Sequence, residues 1–375
     1  MRFPEFSGEW EEHTLSEYLE FKNGLNPDAK RIGSGLPFIS VMDILSEGVI
    51  NYDNIRGKVN ATEKEIECFG VKDGDLLFQR SSETLEDVGR ANVYMDNRTA
   101  IYGGFVIRGR KIGNYDPLFF KYLLATPLAR KRTCRMGAGA QHFNIGQEGL
   151  SKISLYFPSI EEQRKIAEFL SLIDERIATQ NKIIEDLKKL KSAISLKMLH
   201  SDSWKQFKIK DIASIGRGRV ISSVEISQQD NPLYPVYSSQ TSNEGIMGYL
   251  DNFMFEGEYI NWTTDGANAG TVFYRDGKFN CTNVCGLLKL GDEFDTYFVS
   301  LVLAEATKKY VSTNLANPKL MNNTMGSIQI RLPKLKEQKR ISIAFRKLRE
   351  LLEVHNSLLT EYSKLKQYLL SQMFI

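Results

Sequence analysis

Residues 155–200 read LYFPSIEEQRKIAEFLSLIDERIATQNKIIEDLKKLKSAISLKMLH, and residues 330–375 read IRLPKLKEQKRISIAFRKLRELLEVHNSLLTEYSKLKQYLLSQMFI. The two stretches align without a gap when Pro158 is placed on Pro333, 175 positions later. Neither stretch contains Gly or Pro beyond that proline. Each therefore predicts one uninterrupted helix of about 40 residues, which is about 60 Å of helix.

Both predicted helices carry the same heptad pattern. In the first, positions a and d are Leu170, Ile177, Ile184, Lys191 and Met198, and Ile173, Gln180, Leu187 and Ile194. In the second they are Phe345, Leu352, Leu359, Lys366 and Met373, and Leu348, His355, Tyr362 and Leu369. Position g adds Ile183, Leu190, Leu351, Leu358 and Leu365, which predicts a widened apolar stripe. A seam kept over four heptads indicates a coiled coil, and the alternative is two ordinary amphipathic core helices.

Composition allows a nucleic-acid partner without requiring one. The chain has 375 residues, 42% hydrophobic and 25% charged, with a net charge of +3, which is typical of a globular protein of two or three domains. No apolar run approaches the length of a membrane span and no signal peptide opens the chain, so we expect a cytoplasmic protein. The four cysteines are expected to be reduced thiols.

The repeat extends beyond the two helices. Trp10 and the residues after it match Trp204 and its followers, and Asp116 and Asp295 each precede a short apolar segment where a helix N-cap belongs. Short aromatic and β-branched runs between turn residues indicate strands in both copies. We therefore predict an α+β protein built by tandem duplication. Its predicted segments are a domain at 1–158, a helix at 159–200, a domain at 201–333 and a helix at 334–375.

The order of the segments predicts an antiparallel helix pair. The second domain begins where the first helix ends, and it finishes where the second helix begins. If the two ends of that domain lie close together, as domain termini often do, the helices run antiparallel and the two copies are related by a pseudo-two-fold axis. Two matched domains at a fixed separation suit a ligand with two matched halves, such as duplex DNA with its repeat of about 34–36 Å.

Searches for catalytic motifs favour a non-catalytic chain. Asn231-Pro232-Leu233-Tyr234 is similar to the loop of amino-methyltransferases but lacks the second proline, so a turn is the better interpretation. The sequence has no phosphate-binding P-loop. Cys281 and Cys285 are separated by three residues, but no second pair of Cys or His that could complete a zinc site lies nearby. We expect no metal site and no catalytic residues.

Basic and polar residues cluster at equivalent places in the two copies. In the first copy they are Arg80, Arg108, Arg110, Lys111, Arg130, Lys131, Arg132, Arg135, Gln141 and His142. In the second they are Arg217, Arg219, Thr263, Thr264, Lys308, Lys309, Asn317 and Lys319, around an Asn-rich loop that begins at Asn314. Arg and Lys neutralise phosphates, while Asn, Gln and Arg can contact base edges. One such cluster is usually a solvated basic face, but its recurrence in both copies predicts a DNA-binding surface.

Taken together, these motifs resemble the specificity (S) subunit of type I restriction–modification systems. The resemblance rests on Arg2-Phe3-Pro4-Glu5-Phe6 with Gly8-Glu9-Trp10, and on Pro-x-x-x-Glu-Gln-x-x-Ile at 158–166 and 333–341. It implies two target recognition domains of α/β type, each recognising one half of a bipartite DNA site, with the helices as spacer. Residues implied in the spacer and in docking two methyltransferase (M) subunits are Gln163, Ile166, Leu170, Ile177, Ile184, Leu187, Gln338, Ile341, Leu352, Leu359 and Tyr362.

The same resemblance implies which cofactors and partners to expect. S-adenosylmethionine would bind in the M subunits, and ATP with Mg²⁺ in restriction (R) subunits, with no cofactor in this chain and no membrane partner. Two other functions fit the residues less well. One is a coiled-coil scaffold whose domains bind protein or carbohydrate, and the other is an enzyme descended from a fused methyltransferase.

Overall fold

The structure is a computed structural model that describes residues 1–139, 141–312 and 317–374. The chain forms two compact units, one of residues 1–182 with 356–375 and one of residues 183–355. Each unit therefore holds one repeated domain and parts of both long helices. Asn314, predicted to open a DNA-binding loop, lies outside the described residues.

The first unit begins with a mixed domain of short strands and helices. Its strands are β1 (Glu11–Thr14), β2 (Leu19–Asn23), β3 (Ile32–Ile39), β4 (Gly57–Val59), β5 (Gly70–Val71), β6 (Leu76–Gln79), β7 (Ser81–Ser82), β8 (Ala91–Val93), β9 (Ala100–Tyr102), β10 (Val106–Lys111), β11 (Phe143–Asn144) and β12 (Ser154–Phe157). Its helices are α1 (Leu15–Tyr18), α2 (Val41–Ile44), α3 (Glu63–Phe69), α4 (Pro117–Ala125), α5 (Pro127–Cys134) and α6 (Gln147–Ser151), with a 3₁₀ turn at Ala29–Arg31. The long helix α7 (Ile160–Met198) follows.

Two four-stranded sheets organise this first domain. Their strand orders are β2-β10-β6-β8 and β4-β3-β9-β5, and the pairs β1-β12 and β11-β7 lie beside them. One face of the first sheet packs against α4 and α7 around Phe78, Phe119 and Leu170, which are fully buried. The domain is thus packed on the long helix by its main core.

The second unit repeats this plan. Its strands are β13 (Lys205–Lys208), β14 (Ala213–Arg217), β15 (Tyr234–Tyr237), β16 (Ile246–Leu250), β17 (Phe255–Glu256), β18 (Tyr259–Thr263), β19 (Val272–Arg275), β20 (Lys278–Cys281), β21 (Cys285–Leu290) and β22 (Gln329–Leu332). Its helices are α8 (Ile209–Ile212), α9 (Ser223–Ser227), α10 (Thr296–Ala306) and α11 (Asn322–Ser327), with 3₁₀ turns at Ser242–Gly245 and Thr307–Lys309, and α12 (Leu335–Gln372) closes the chain. The sheets are β14-β21-β18-β19 and β16-β15-β20-β17, with the pair β13-β22.

A close approach of two backbones recurs in both domains and requires glycine. A Cβ on Gly24 would lie 2.1 Å from the carbonyl oxygen of Gly103, and one on Gly218 would lie 2.0 Å from that of Cys281. Because no side chain tolerates such distances, these positions accept only glycine. Gly218, which lies between the basic residues Arg217 and Arg219, is therefore required by the fold.

Within each unit, the start of one long helix packs beside the end of the other. In the first unit, Leu170 of α7 shares a core with Leu369 and Met373 of α12. In the second, Ile341 and Phe345 of α12 share a core with the end of α7 at Ile194 and Met198. The predicted antiparallel helix pair and the α+β class are confirmed.

The residues predicted to widen the apolar stripe are divided, since Ile183 and Leu358 are half-buried and the other three are exposed. Leu190, Leu351 and Leu365, assigned to position g, are between 43% and 49% exposed. Side chains at position a are buried instead, as at Leu170 and Ile184. Burial along the pair thus follows the a and d positions more closely than a bundle would.

The two lysines predicted to occupy equivalent seam positions have different surroundings. In the first unit, Lys366 lies 2.5 Å from the carboxylate of Asp174. The residue 175 positions after Asp174 is Arg349, so Lys191 lacks an equivalent acid, and its side chain is exposed. The charge pattern of the seam therefore differs between the units.

Lys121 of α4 provides a pH-dependent contribution to the first unit. Its ammonium donates to the carbonyl oxygen of Gly48 at 2.5 Å, and burial lowers the pKa of Lys121 to about 8. The charged groups that line the same cleft are Glu47, Arg90, Asp174 and Lys366. Burying the ammonium costs stability below this pKa, and the cost disappears as pH rises from about 8 towards the ordinary lysine value.

We expect Lys121→Met to stabilise the first unit at pH 7 by about 1–2 kcal/mol, and we expect this advantage to shrink between pH 8 and 10.5. Urea unfolding followed by circular dichroism at several pH values measures it. Lys131→Met, at an exposed position of α5, is the matched control. An advantage that stays constant across this range would contradict the assignment.

Candidate nucleic-acid interface

The first candidate interface is a set of three loop segments at the end of β6, around Ser81, Ala138 and Asn144, which we call the cradle. Beyond Gln79, the chain continues as Arg80 and β7, and Ser81 pairs with Asn144 of β11. Asn144 also exchanges two backbone hydrogen bonds of 2.9 Å with Ala138, and the amide of Ile145 donates to the carbonyl oxygen of Arg80 at 3.0 Å. Three backbone segments are thereby held side by side at the edge of the domain.

The second unit builds the same cradle at the end of β18. The amide of Leu320 donates to the carbonyl oxygen of Thr264 at 2.9 Å, and that of Gly266 donates to Pro318 at 3.0 Å. Lys319 forms isolated bridges with both Asp265 and Ser312. The backbone contacts of Asp265 and Lys319 therefore correspond to those of Ser81 and Asn144 in the first unit, so equivalent positions present different side chains.

Several of the basic residues predicted for the first interface turn inward. Arg108 is only 6% exposed and donates to the carbonyl oxygen of Gly70 at 2.7 Å, and Arg110 donates to the same oxygen at 2.6 Å. Burial lowers the pKa of Arg110. These two arginines hydrogen-bond within the domain, against the prediction that they lie on a DNA-binding surface. Lys111 lies at the exposed end of β10, with its ammonium 2.7 Å from the carbonyl oxygen of Tyr115.

The run on α5 is divided between structural and exposed side chains. Arg130 donates to the carbonyl oxygens of Glu86 and Val88 at 2.8 and 2.6 Å, and burial lowers the pKa of Arg130. Arg132 forms an ion pair of 2.8 Å with Glu12. Both cations are thus engaged within the domain, against the prediction. The exposed members of the first-unit set are Lys111, Lys131, Arg135, Gln141 and His142, while Arg80, within the cradle, is half-buried and donates to the carbonyl oxygen of Gly104 at 3.4 Å.

The second unit divides in a similar way. Thr263 and Thr264 are buried, so their side chains act within the fold, and the prediction that they contact DNA is corrected. Arg219 pairs with Glu225, which raises the pKa of this arginine through a side-chain hydrogen bond. The exposed candidates are Arg217, Arg219, Lys308, Lys309 and Asn317, and Lys308 pairs with Glu305 at 2.9 Å. Lys319 is half-buried, 3.6 Å from Asp265.

The glutamines of the repeated Glu-Gln motif fasten each domain to its long helix. Gln163 accepts from the backbone amide of Asp116 at 3.1 Å and donates to the carbonyl oxygen of Pro158 at 3.0 Å. Gln338 makes the same two contacts, with Asp295 at 3.0 Å and Pro333 at 2.8 Å. Both glutamines are buried. Their position supports a structural role in place of the predicted docking surface.

Other helix residues predicted for docking also face inward. Ile166, Leu170, Ile184 and Ile341 are buried. The half-buried members are Ile177, Leu187, Leu352, Leu359 and Tyr362. These residues were predicted both to form the spacer and to dock partner subunits. Their burial fits the first of these roles, because they pack the helices against each other and against the domains.

We expect Gln338→Leu to destabilise the second unit by about 2–4 kcal/mol, because it leaves two buried backbone groups of Asp295 and Pro333 without partners. Chemical denaturation of the full chain, with hydrogen exchange to locate the affected unit, measures the loss. The matched control is Gln367→Leu, at an exposed position of the same helix. Equal stability of the two variants would show that the two hydrogen bonds of Gln338 do not contribute to the free energy of unfolding.

An ion pair that was not predicted from the sequence anchors the N-terminal segment. The guanidinium of Arg2 binds the buried carboxylate of Glu162 through two hydrogen bonds of 2.7 and 2.6 Å, and the ring of Phe3 packs edge-on against Phe169 at 5.9 Å. Arg2 and Glu162 both lie in motifs that carried the resemblance. The opposite charges of Arg2 and Glu162 are compatible with an ion pair. Because the two residues are 160 positions apart, however, nothing in the sequence indicates that they pair.

No three His, Cys, Asp or Glu side chains among the described residues are grouped so as to hold a metal ion. All four cysteines are free thiols, and burial raises the pKa of the Cys285 thiol. Asn231 lies in a turn where its amide donates to Asp251 at 2.9 Å. Within the same described ranges, no helix is long and apolar enough to cross a membrane.

Comparison with known proteins covers nearly the whole chain. Residues 7–189 and 201–362 each match the family described as the type I restriction modification DNA specificity domain. A chain named as the N-terminus of a type I specificity subunit of Mycoplasma pneumoniae is 46% identical over 140 residues, which span 37% of this chain and 74% of that protein. A second specificity subunit from the same organism is 36% identical over 206 residues, 53% of this chain and 85% of that one.

A solved structure shares the fold. The crystal structure of the S subunit of a type I restriction–modification system from M. genitalium superposes with a TM-score of 0.70 at 17% identity, covering 98% of this chain and 96% of that chain. The match to the family thus includes both copies of the duplicated domain and most of both long helices. The chain therefore belongs to the family of type I restriction–modification specificity subunits.

Proposed function

We propose that each recognition domain binds one half of a bipartite DNA site and that the chain itself makes or breaks no covalent bond. The observation that carries this proposal is the loop cradle built with the same backbone contacts in both units and with different side chains at its edge. A rigid backbone with variable side chains is what sequence discrimination requires. Phosphate contacts would come from exposed cations, such as Lys131, Arg135 and Arg217.

The two long helices would set the gap between half-sites and dock two methyltransferase subunits. Both α7 and α12 begin in one compact unit and end in the other. Their outer faces carry exposed apolar side chains, among them Leu172 on α7 and Ile343 and Val354 on α12, each more than 50% exposed. Exposed apolar side chains of this kind are suited to bury against partner proteins.

The cofactors of the complex would reside in the partner chains. S-adenosylmethionine would bind to the methyltransferase subunits, and ATP with Mg²⁺ to restriction subunits. The complex would act on DNA in the cytoplasm without a membrane partner. A binding assay of the isolated chain with S-adenosylmethionine should then give no signal, whereas binding would favour a fused methyltransferase.

Methylome sequencing tests the central proposal. A host that lacks the gene for this chain is expected to lose one split methylation motif, and a plasmid copy of the gene is expected to restore it. An unchanged methylome would overturn the proposal and would favour a scaffold that binds protein or carbohydrate. Purified chain that binds DNA without dependence on salt would also oppose it, because phosphate contacts release counterions.

A further inference from the structure

The second unit presents an acid and a base side by side at the edge of its cradle. The ammonium of Lys319 lies 3.6 Å from a carboxylate oxygen of Asp265, and their side chains are 43% and 27% exposed. The other carboxylate oxygen of Asp265 accepts from the hydroxyl of Thr264 at 2.7 Å. The pair is therefore held in place but still accessible to a ligand.

The separation within the pair leaves both groups able to bind another partner. Charge-assisted hydrogen bonds between an ammonium and a carboxylate are usually about 2.7–2.9 Å long, and this pair is more open. The ammonium of Lys319 carries three N–H donors, and the carboxylate oxygen of Asp265 that faces it has more than one lone pair. A ligand that offers an acceptor to the lysine and a donor to the aspartate would complete both.

The major-groove edge of a G·C pair offers these groups at a matching distance. Guanine presents the acceptors O6 and N7, and cytosine presents the N4 amino donor. O6 and N4 are hydrogen-bonded to each other, so they lie about 2.9 Å apart. Lys319 over O6 and N7 and Asp265 over N4 would therefore place each charge on its complement.

An A·T pair fits the same two side chains less well. Thymine gives the lysine one acceptor, O4, next to the C5 methyl group, in place of two acceptors. Adenine places the acceptor N7 beside its N6 donor, where it repels a carboxylate. Both contacts thus favour G·C.

The first unit carries different chemistry at the corresponding backbone positions. There Ser81 donates to the side-chain oxygen of Asn144, and the amide nitrogen of Asn144 donates to the carbonyl oxygen of His142 at 3.3 Å. This pair is uncharged, and an asparagine amide is the usual partner of adenine N6 and N7. The two half-sites should differ at this position.

We infer that Lys319 and Asp265 specify a G·C pair in the half-site bound by the second unit. This inference rests on the proposed function, because it assumes that the cradle faces a DNA major groove. It adds to that function one base pair and the two side chains that select it.

The test selects DNA from a library in which both half-sites are randomised, using the full chain assembled with its methyltransferase subunits. The wild-type complex is expected to select G·C at one position of the half-site assigned to the second unit. Lys319→Met is expected to reduce that preference about tenfold, while the other half-site stays unchanged. Lys319→Arg should retain the preference, since Arg also binds guanine O6 and N7.

A paired exchange and a control separate specificity from structure. Asp265→Ser with Lys319→Asn transfers the first unit's pair and is expected to shift the selected base pair towards A·T. Lys308→Met removes an exposed cation and should weaken binding of all sequences alike. Unaltered base preference in Lys319→Met that melts like the wild type would overturn the inference. If the wild type selects no split motif, the proposed function itself fails.

Discussion

Inserting three heptads into both long helices is expected to lengthen the gap between the recognised half-sites by about nine base pairs. Twenty-one helical residues add about 31 Å, and each base pair of duplex occupies about 3.4 Å. The insertions belong after Lys182 in α7 and after Ser357 in α12, which are 175 positions apart in the repeat. Whole heptads keep the apolar seam in register.

Three heptads are chosen because DNA is helical. The added length comes close to one turn of about 10 base pairs, so both domains would still meet the same face of the duplex. A single heptad would move one half-site about three base pairs, roughly a third of a turn around the axis. It should therefore weaken binding without creating a longer site.

Library selection with the assembled complex measures the new gap. The matched control inserts the same 21 residues in α7 alone, which leaves the added a and d residues of α7 without partners on α12 and should lower stability and DNA binding together. If the double insertion folds and still selects the wild-type gap, the helices are not the spacer.

Trp262→Ala is expected to destabilise the second unit by about 3–5 kcal/mol and to weaken binding to its half-site. The indole is fully buried and lies against Gly286, where an added Cβ would be 2.1 Å from the ring, so this neighbour has no side chain to fill the space. Its N–H also donates to the carbonyl oxygen of Leu320 at 2.9 Å. Loss of this bond frees the segment next to Lys319.

Comparison of two Trp→Phe variants isolates this hydrogen bond. Trp262→Phe leaves the carbonyl oxygen of Leu320 without its donor, which adds about 1–3 kcal/mol to the packing cost. Trp10 is the matched control, because its indole N–H is buried with no partner among the described residues, so Trp10→Phe removes no such bond. Urea unfolding with hydrogen exchange measures both losses. Equal losses in the two variants would contradict the role of the bond.

Regular, repeated features were predictable from the sequence. The long helices were predicted at 159–200 and 334–375 and run from Ile160 to Met198 and from Leu335 to Gln372. Asp116 and Asp295 cap their helices as predicted, each accepting from a backbone amide three residues on. These features depend on local spacing, which a sequence displays directly.

The candidate interface was less predictable because burial depends on contacts between distant segments. Arg108 and Lys131 are both cations in basic runs, yet one is buried against Gly70 and the other is exposed. Strand pairing decides this difference, since Arg108 lies on β10 between β2 and β6. Asn144 and Lys319 lie 175 positions apart, which is the offset of the repeat, but only the backbone hydrogen bonds show which segments each of them lies against.

The glutamine fastening explains how such proteins can acquire new specificities. The side chains of Gln163 and Gln338 bond only to main-chain atoms of the domain and of the strand end that joins it to the helix. Because every residue except proline offers the same peptide groups, these hydrogen bonds impose almost no requirement on the side chains at the positions that Gln163 and Gln338 contact. Recombination could therefore join a different recognition domain to the existing long helices and keep these hydrogen bonds. Selection would then act directly on the new DNA target.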